Sequence, residues 1–264
     1  MMKKMIRVNV NDIRQMFAQL YLNEVIINDK SGLKVFEILG ASFIADSEQI
    51  FGKPNKDYIT REINWYNSQS RNILDIEDQV PQIWKNVCDI DGNINSNYGW
   101  CIYSEKNHRQ YDRVLAELKR ESTSRRTSMI YTRPKMWNDY NTRGMSDFMC
   151  THAVDYAVRD NKLYVTVHMR SQDAWAGYRN DYAWQNYIQK RLASDLNVLI
   201  GDIYWSVSSL HLYSSYWYLL YHYLRSGSTH ISIKEFKEIY GQQILNDLTK
   251  GNISFIEQRF PIEM

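Results

Sequence analysis

Two strand-like runs separated by a tight turn constrain this chain more than any other feature. Residues 153–158 and 163–169 flank Asp160-Asn161, a pair that suits a two-residue turn because both side chains tolerate a positive φ. In the second run Leu163, Val165, Val167 and Met169 alternate with Tyr164, Thr166, His168 and Arg170. A period of two puts the two sets on opposite faces, so one face is apolar and the other ends in an arginine. Downstream, Trp184, Ile188 and Leu192 recur at helical spacing and predict a long helix over 183–196. Ile203, Trp205, Val207, Ser209, His211 and Tyr213 then fall on one face of a further strand, so His211 and Tyr213 point the same way.

The rest of the chain mixes the same two patterns. Asn11 is the expected N-cap of a first helix carrying Ile13, Met16, Phe17 and Leu20. Asn28-Asp29-Lys30-Ser31-Gly32 reads as a turn, and 35–45 as strand pairs interrupted at Gly40. Ile59, Ile63 and Tyr66 share a helical face with Glu62 beside it. Loop signals at 89–92 and 95–97 surround Tyr98, and Tyr111, Leu115 and Leu118 mark a helix ending before 122–126. Residues 127–131 read as a strand, and Ser232 with Glu235 forms a capping box.

With 264 residues, four prolines and no linker-like tract, the expectation is a single domain over 1–264. A net charge of +2 argues against a chain built to neutralise a nucleic-acid backbone. The cysteines, Cys88, Cys101 and Cys150, leave an odd count and no metal-type spacing, so neither a disulfide framework nor a bound metal is expected. The first residues are too polar for a signal peptide, and the apolar-aromatic run 216–224, broken by His222, is far short of the roughly 20 residues of a membrane span. The expected location is the cytoplasm.

Several stretches carry chemistry together: Asp147-Phe148-Met149-Cys150-Thr151-His152, Arg170-Ser171-Gln172-Asp173 and Gly177-Tyr178-Arg179-Asn180-Asp181, with Ser124-Arg125-Arg126, Arg61-Glu62-Ile63-Asn64-Trp65 and Ser209-Leu210-His211-Leu212-Tyr213-Ser214. By these residues the chain resembles, over about 28–213, the thymidylate synthase family, and within it the deoxycytidylate hydroxymethylase branch known from bacteriophages. The resemblance implies an α/β (α+β) fold, a mixed sheet backed by helices, and a homodimer joined sheet to sheet. It implies a thiolate of Cys150 that adds to C6 of a pyrimidine nucleotide, with 5,10-methylenetetrahydrofolate as the one-carbon donor. Taken alone, Cys150 would be a small buried hydrophobe; a nearby guanidinium would stabilise the attacking thiolate.

The same resemblance assigns the remaining roles. Arg170 and Ser171 would bind the nucleotide phosphate, and Arg125 and Arg126 would reach the partner subunit's phosphate across the interface, where guanidinium forks suit a dianion. Lys30 stands where the family has an arginine and supplies charge without the fork; a solvent-exposed loop lysine is its other reading. Glu62 would organise water and relay protons, Tyr98 would lie near the C5 proton, and Trp84, Asp173 and Gly177 would line the folate pocket. His211 and Tyr213 would bind the sugar hydroxyl.

Asp181 departs from the family pattern, standing where synthases have an asparagine that reads uracil. An amide matches N3–H and O4 of uracil, whereas cytosine, with its amino group and unprotonated N3, calls for a carboxylate that shares a proton. The acid therefore points to dCMP, unless it caps a helix beginning at Tyr182. Asp181 and Glu62 together offer two carboxylates to position a water on the trapped methylene, and 259–264 do not resemble the small apolar terminus with which synthases exclude water. Both features favour a hydroxymethyl product over a methyl one. The competing readings are an enzyme acting on dUMP or CMP, a methyl-transferring synthase, and, more remotely, a non-catalytic nucleic-acid-binding protein built on Arg125, Arg126, Arg133 and abundant Tyr and Trp.

Overall fold

The computed structural model describes residues 7–30 and 32–253. Its helices are α1 (Val10–Leu22), α2 (Lys56–Ser68), α3 (Gln82–Val87), α4 (Tyr98–Tyr103), α5 (Gln110–Arg120), α6 (Met136–Asp139), α7 (Ala176–Leu196), α8 (Trp217–Ser226), α9 (Ile233–Tyr240) and α10 (Gln242–Thr249). The strands are β1 (Ile27–Asn28), β2 (Lys34–Ile44), β3 (Ser128–Ile130), β4 (Thr151–Arg159), β5 (Lys162–Asp173) and β6 (Leu199–Tyr213). They form one sheet in the order β1-β2-β6-β5-β4-β3.

The β4–β5 hairpin forms as its sequence dictates. Arg159 pairs with Lys162 across Asp160 and Asn161, which both take a positive φ, and Leu163, Val165, Val167 and Met169 are buried. The antiparallel register slips between Thr151 and Ala153, a bulge that bends β4 just after Cys150. Strand β6 is parallel to β5: Leu199 N–H bonds Asn161 O at one end and Ala174 N–H bonds His211 O at the other, with α7 as the crossover. Antiparallel and parallel pairs together make the sheet mixed, and the fold α/β.

The chain divides into two compact units. One takes in Met1–Pro54, Ser171–Tyr182 and Ser206–Met264, the other Asn55–Arg170 and Ala183–Trp205. In the first unit, α1 buries Val10, Ile13, Phe17 and Tyr21, and Phe36 stacks on Trp217 with ring centroids 4.0 Å apart. In the second, Tyr66 of α2 meets Trp184 and Tyr98 with centroid distances of 5.1 and 5.2 Å. Large aromatic rings are among the fully buried side chains of each core.

Several expectations are corrected. The N-cap of α1 is Asn9, not Asn11, because Asp12 completes a reciprocal capping box with it. Met16 faces solvent and Tyr21 takes a core position. Strand β2 runs unbroken through Gly40, which adopts a positive φ (64°) within the strand rather than ending it. In β6 the buried residues are Ile203, Trp205 and Val207, then Leu210 and Leu212, so the alternation changes phase at Ser208-Ser209. His211 and Tyr213 still share a face, but it is not the one that Ile203 to Val207 begin. Helix α7 starts seven residues earlier than the apolar spacing predicts, which places Asp181 in its second turn and removes the N-cap reading of that residue. Cys150 lies just before β4, after the irregular segment 145–149, instead of following a strand. Ser31 and the stretch 259–264 lie outside the described residues.

Candidate active site

In the second unit the sequence around Cys150 is held by one arginine. Arg170, at the end of the regular alternation of β5, donates from Nε to Met149 O (2.9 Å), from a terminal nitrogen to Phe148 O, and from that same nitrogen to Cys150 Sγ at 3.6 Å. Its guanidinium carbon lies 5.1 Å from the centre of the Phe148 ring. A donor fixed by two carbonyls and one ring leaves a cation aimed at the sulfur, a setting that suits an anionic nucleophile. Cys150 is half-buried, whereas Cys101 is fully buried and its thiol is pushed up to about 11 by that burial, with Arg133 acting against it. Cys101 also accepts from a guanidinium, that of Arg133 at 3.4 Å, so it is exposure that sets Cys150 apart.

The loop before Cys150 is anchored by a buried carboxylate. Asp147 accepts from the backbone N–H of Asn95 and Ser96 (both 2.7 Å) and from Ser96 Oγ (2.7 Å). Burial pushes its carboxyl above the usual range, and these hydrogen bonds oppose the shift. Asn97 next caps α4 through Trp100 N–H, so that Tyr98 opens the helix rather than sitting in a loop. Thr151 Oγ1 donates to Tyr98 OH at 3.0 Å. At Gly99 a Cβ would lie 1.8 Å from Tyr66 O, so only glycine lets α4 approach α2.

Glu62 is on the buried face of α2 with Trp65 and Tyr66, not beside that face, and is 4% exposed. Tyr58, one turn earlier, donates to Glu62 Oε1 at 2.5 Å, and Trp84 Nε1 donates to Tyr58 OH at 2.9 Å. Burial first, then the Glu62 charge, push the Tyr58 phenol far above its ordinary value, so Tyr58 remains a proton donor to the carboxylate. The chain Trp84–Tyr58–Glu62 thus joins a predicted folate-packing residue to the predicted proton relay. Tyr58 itself was missed, although its i, i+4 spacing from Glu62 was readable. Arg125 and Arg126 are exposed, with Ser124 below them bonded to Glu117 at 2.6 Å.

The first unit holds the other predicted residues. Asp173 caps α7: it accepts from Trp175 N–H (3.1 Å), Ala176 N–H (2.8 Å) and Gly177 N–H (3.3 Å). Burial pushes its carboxyl up, while those N–H groups and His211 pull the other way. Asp181 receives a hydrogen bond from Gln172 Nε2 at 2.8 Å. Gly177 permits this, because a Cβ there would sit 2.9 Å from Gln172 Nε2. The His211 and Tyr213 rings meet edge to face at 5.0 Å, and Ser209 Oγ donates to Glu37 beside them. Ser171 is half-buried and Lys30 exposed. Gln172 is the residue to which the sequence reading gave no role.

Among the described residues, no cluster of three His, Cys, Asp or Glu side chains could hold a metal, and no helix is long and apolar enough to cross a membrane. The family model for thymidylate synthase matches residues 53–250 of this chain. The chain belongs to the thymidylate synthase family. It is 49% identical over 234 residues to the deoxycytidylate 5-hydroxymethyltransferase of Enterobacteria phage T4, which covers 86% of this chain and 95% of that protein. It is likewise 49% identical over 235 residues to the enzyme of the same name from phage T6, covering 86% and 96%. To the thymidylate synthase of Francisella tularensis subsp. holarctica it is 26% identical over 209 residues, or 74% of this chain and 76% of the synthase.

Proposed function

We propose that this chain converts dCMP to 5-hydroxymethyl-dCMP, taking its one-carbon unit from methylenetetrahydrofolate and its hydroxyl from water. The observation that carries the reading is Asp181: an acid on α7, bonded by Gln172 and not used as a helix cap. The 49% identity to phage enzymes named for this reaction supports it. On this reading the protein acts in the cytoplasm of an infected bacterium, as a homodimer of one catalytic domain over 1–264.

Cys150 is the nucleophile. Its thiolate adds to C6, which makes C5 a carbon nucleophile, and is expelled when the finished product regains aromaticity. Arg170 stabilises the sulfur and, with Ser171 and Lys30, binds the phosphate, to which Arg125 and Arg126 of the other subunit also reach. His211 and Tyr213 bind the sugar hydroxyl. Asp181 accepts from the exocyclic amine and shares a proton with N3. Tyr98 stands near the C5 proton, and Glu62 relays protons through ordered water and, with Asp181, directs water onto the exocyclic methylene.

Methylenetetrahydrofolate supplies an electrophilic carbon when bound. The residues fit such a molecule: Trp84 keeps a half-exposed indole face, and Asp173, with three of its roughly four lone-pair directions taken by backbone N–H groups, retains one acceptor position for a pterin N–H. Gly177, whose N–H is one of those three, is the third residue proposed for the folate. Incubating the protein with dCMP and the folate should add CH2O to the nucleotide, read by mass spectrometry. Product from dUMP alone would overturn the base assignment, and a methylated product would overturn the role of water.

A further inference from the structure

Asp181 cannot choose a base unless something fixes which way its carboxylate faces. We propose that Gln172 is the positioning residue that sets Asp181 for an amino-bearing pyrimidine; this rests on the proposed reading of Asp181 and deepens it. Three observations within one compact unit carry the inference. Gln172 lies on β5 where the buried alternation changes phase, after Met169, so its side chain turns inward and is 2% exposed. Its Nε2 donates to Asp181 Oδ2 at 2.8 Å, across nine residues of chain and the start of α7. Its Oε1, equally buried, accepts no hydrogen bond among the described residues.

The chemistry follows from the donor. An N–H aimed at Oδ2 needs a lone pair there, so it keeps Oδ2 unprotonated and leaves Oδ1 to take the proton shared with the ring N3. Oδ2 has a second lone pair and can accept from the exocyclic amine as well. A uracil O4 presented to the same oxygen would set lone pair against lone pair. The orphaned Oε1 extends the argument: a buried amide oxygen without a donor is costly, and an N–H or O–H group satisfies it where a carbonyl does not. Gly177 is part of the device, since a Cβ there would press on Nε2.

The test measures kcat/KM for dCMP and for dUMP in the wild-type protein and in Gln172→Met, which keeps shape and removes both polar ends. The wild type should favour dCMP. In the variant the dCMP to dUMP ratio should fall by about tenfold or more, the loss expected when a buried charged partner goes unpaired. The ratio is independent of the fraction of folded protein, and if Gln172→Met does not fold, Gly177→Ala should produce the same fall by displacing the amide. An unchanged ratio in the folded variant would overturn the positioning role alone. A wild type that prefers dUMP would overturn the reading of Asp181 first.

Discussion

An acid in place of an amide at residue 181 differs by one donor, and cytosine differs from uracil by the same exchange of donor and acceptor. Asp181→Asn should therefore lower kcat/KM for dCMP by roughly a hundredfold while raising turnover of dUMP, since a mismatched buried polar pair costs on the order of 1–3 kcal/mol. Steady-state kinetics on both nucleotides reads this, and equal losses on the two would remove the base-reading role. Cys150 makes a second prediction at the same scale. With its sulfur 3.6 Å from Arg170, it is the only thiol in the described residues given a cation by two backbone anchors and a ring. Cys150→Ser should abolish tritium release from C5-labelled dCMP, because a hydroxyl there is too poor a nucleophile to add at C6. Release at the wild-type rate would rule out covalent addition.

Among the elements, the segment 145–149 depends on the Asp147 clamp, three hydrogen bonds onto Asn95 and Ser96. Asp147→Asn exchanges an acceptor for an amide that faces N–H groups, and should lower stability by about 1–3 kcal/mol, seen as a fall in Tm; an unchanged Tm would mean the loop is held elsewhere. His222 in α8, bonded by Tyr240 of α9 and Ser226, has its imidazole held below the usual range by burial. Folding thus favours the neutral ring, so the stabilisation is complete above the ordinary histidine value of about 6.5 and is lost as pH falls toward the lower folded value. The Tm advantage of wild type over His222→Gln should shrink between about pH 7.5 and about 5.5; a constant difference would refute it. The elements also mark what was legible in the chain. The β4–β5 hairpin and the Ser232 capping box follow from local chemistry and were readable. The start of α7 was not: its first turn, Ala176-Gly177-Tyr178-Arg179, has no apolar period, and its cap is the side chain of Asp173 on the preceding strand. The phase change at Ser208-Ser209 has no local signal either. At the site, the motifs marked Cys150, Glu62 and Asp181, but Tyr58 and Gln172 acquire meaning only from the side chains they reach.

For the whole molecule, neither compact unit is a continuous piece of chain: the sequence changes unit after Pro54, after Arg170, after Tyr182 and after Trp205. β5, α7 and β6 each contribute residues to both units, so neither can be excised as a linear fragment, in keeping with the single domain we propose. The dimer is the remaining proposal at this scale. Arg125 and Arg126 are exposed in the segment that follows α5, and neither forms an ion pair among the described residues. Exposed guanidiniums are suited to an external dianion. If they serve the partner's phosphate across a two-fold axis, a subunit lacking Cys150 can still lend its arginines, and a subunit lacking the arginines can still lend its thiolate. Mixing the inactive Cys150→Ser protein with Arg126→Glu, after dissociation and reassociation, should restore about a quarter of wild-type activity, because half of the random dimers carry one intact site. Activity that never rises above the sum of the parents would mean that each phosphate is bound wholly within one chain.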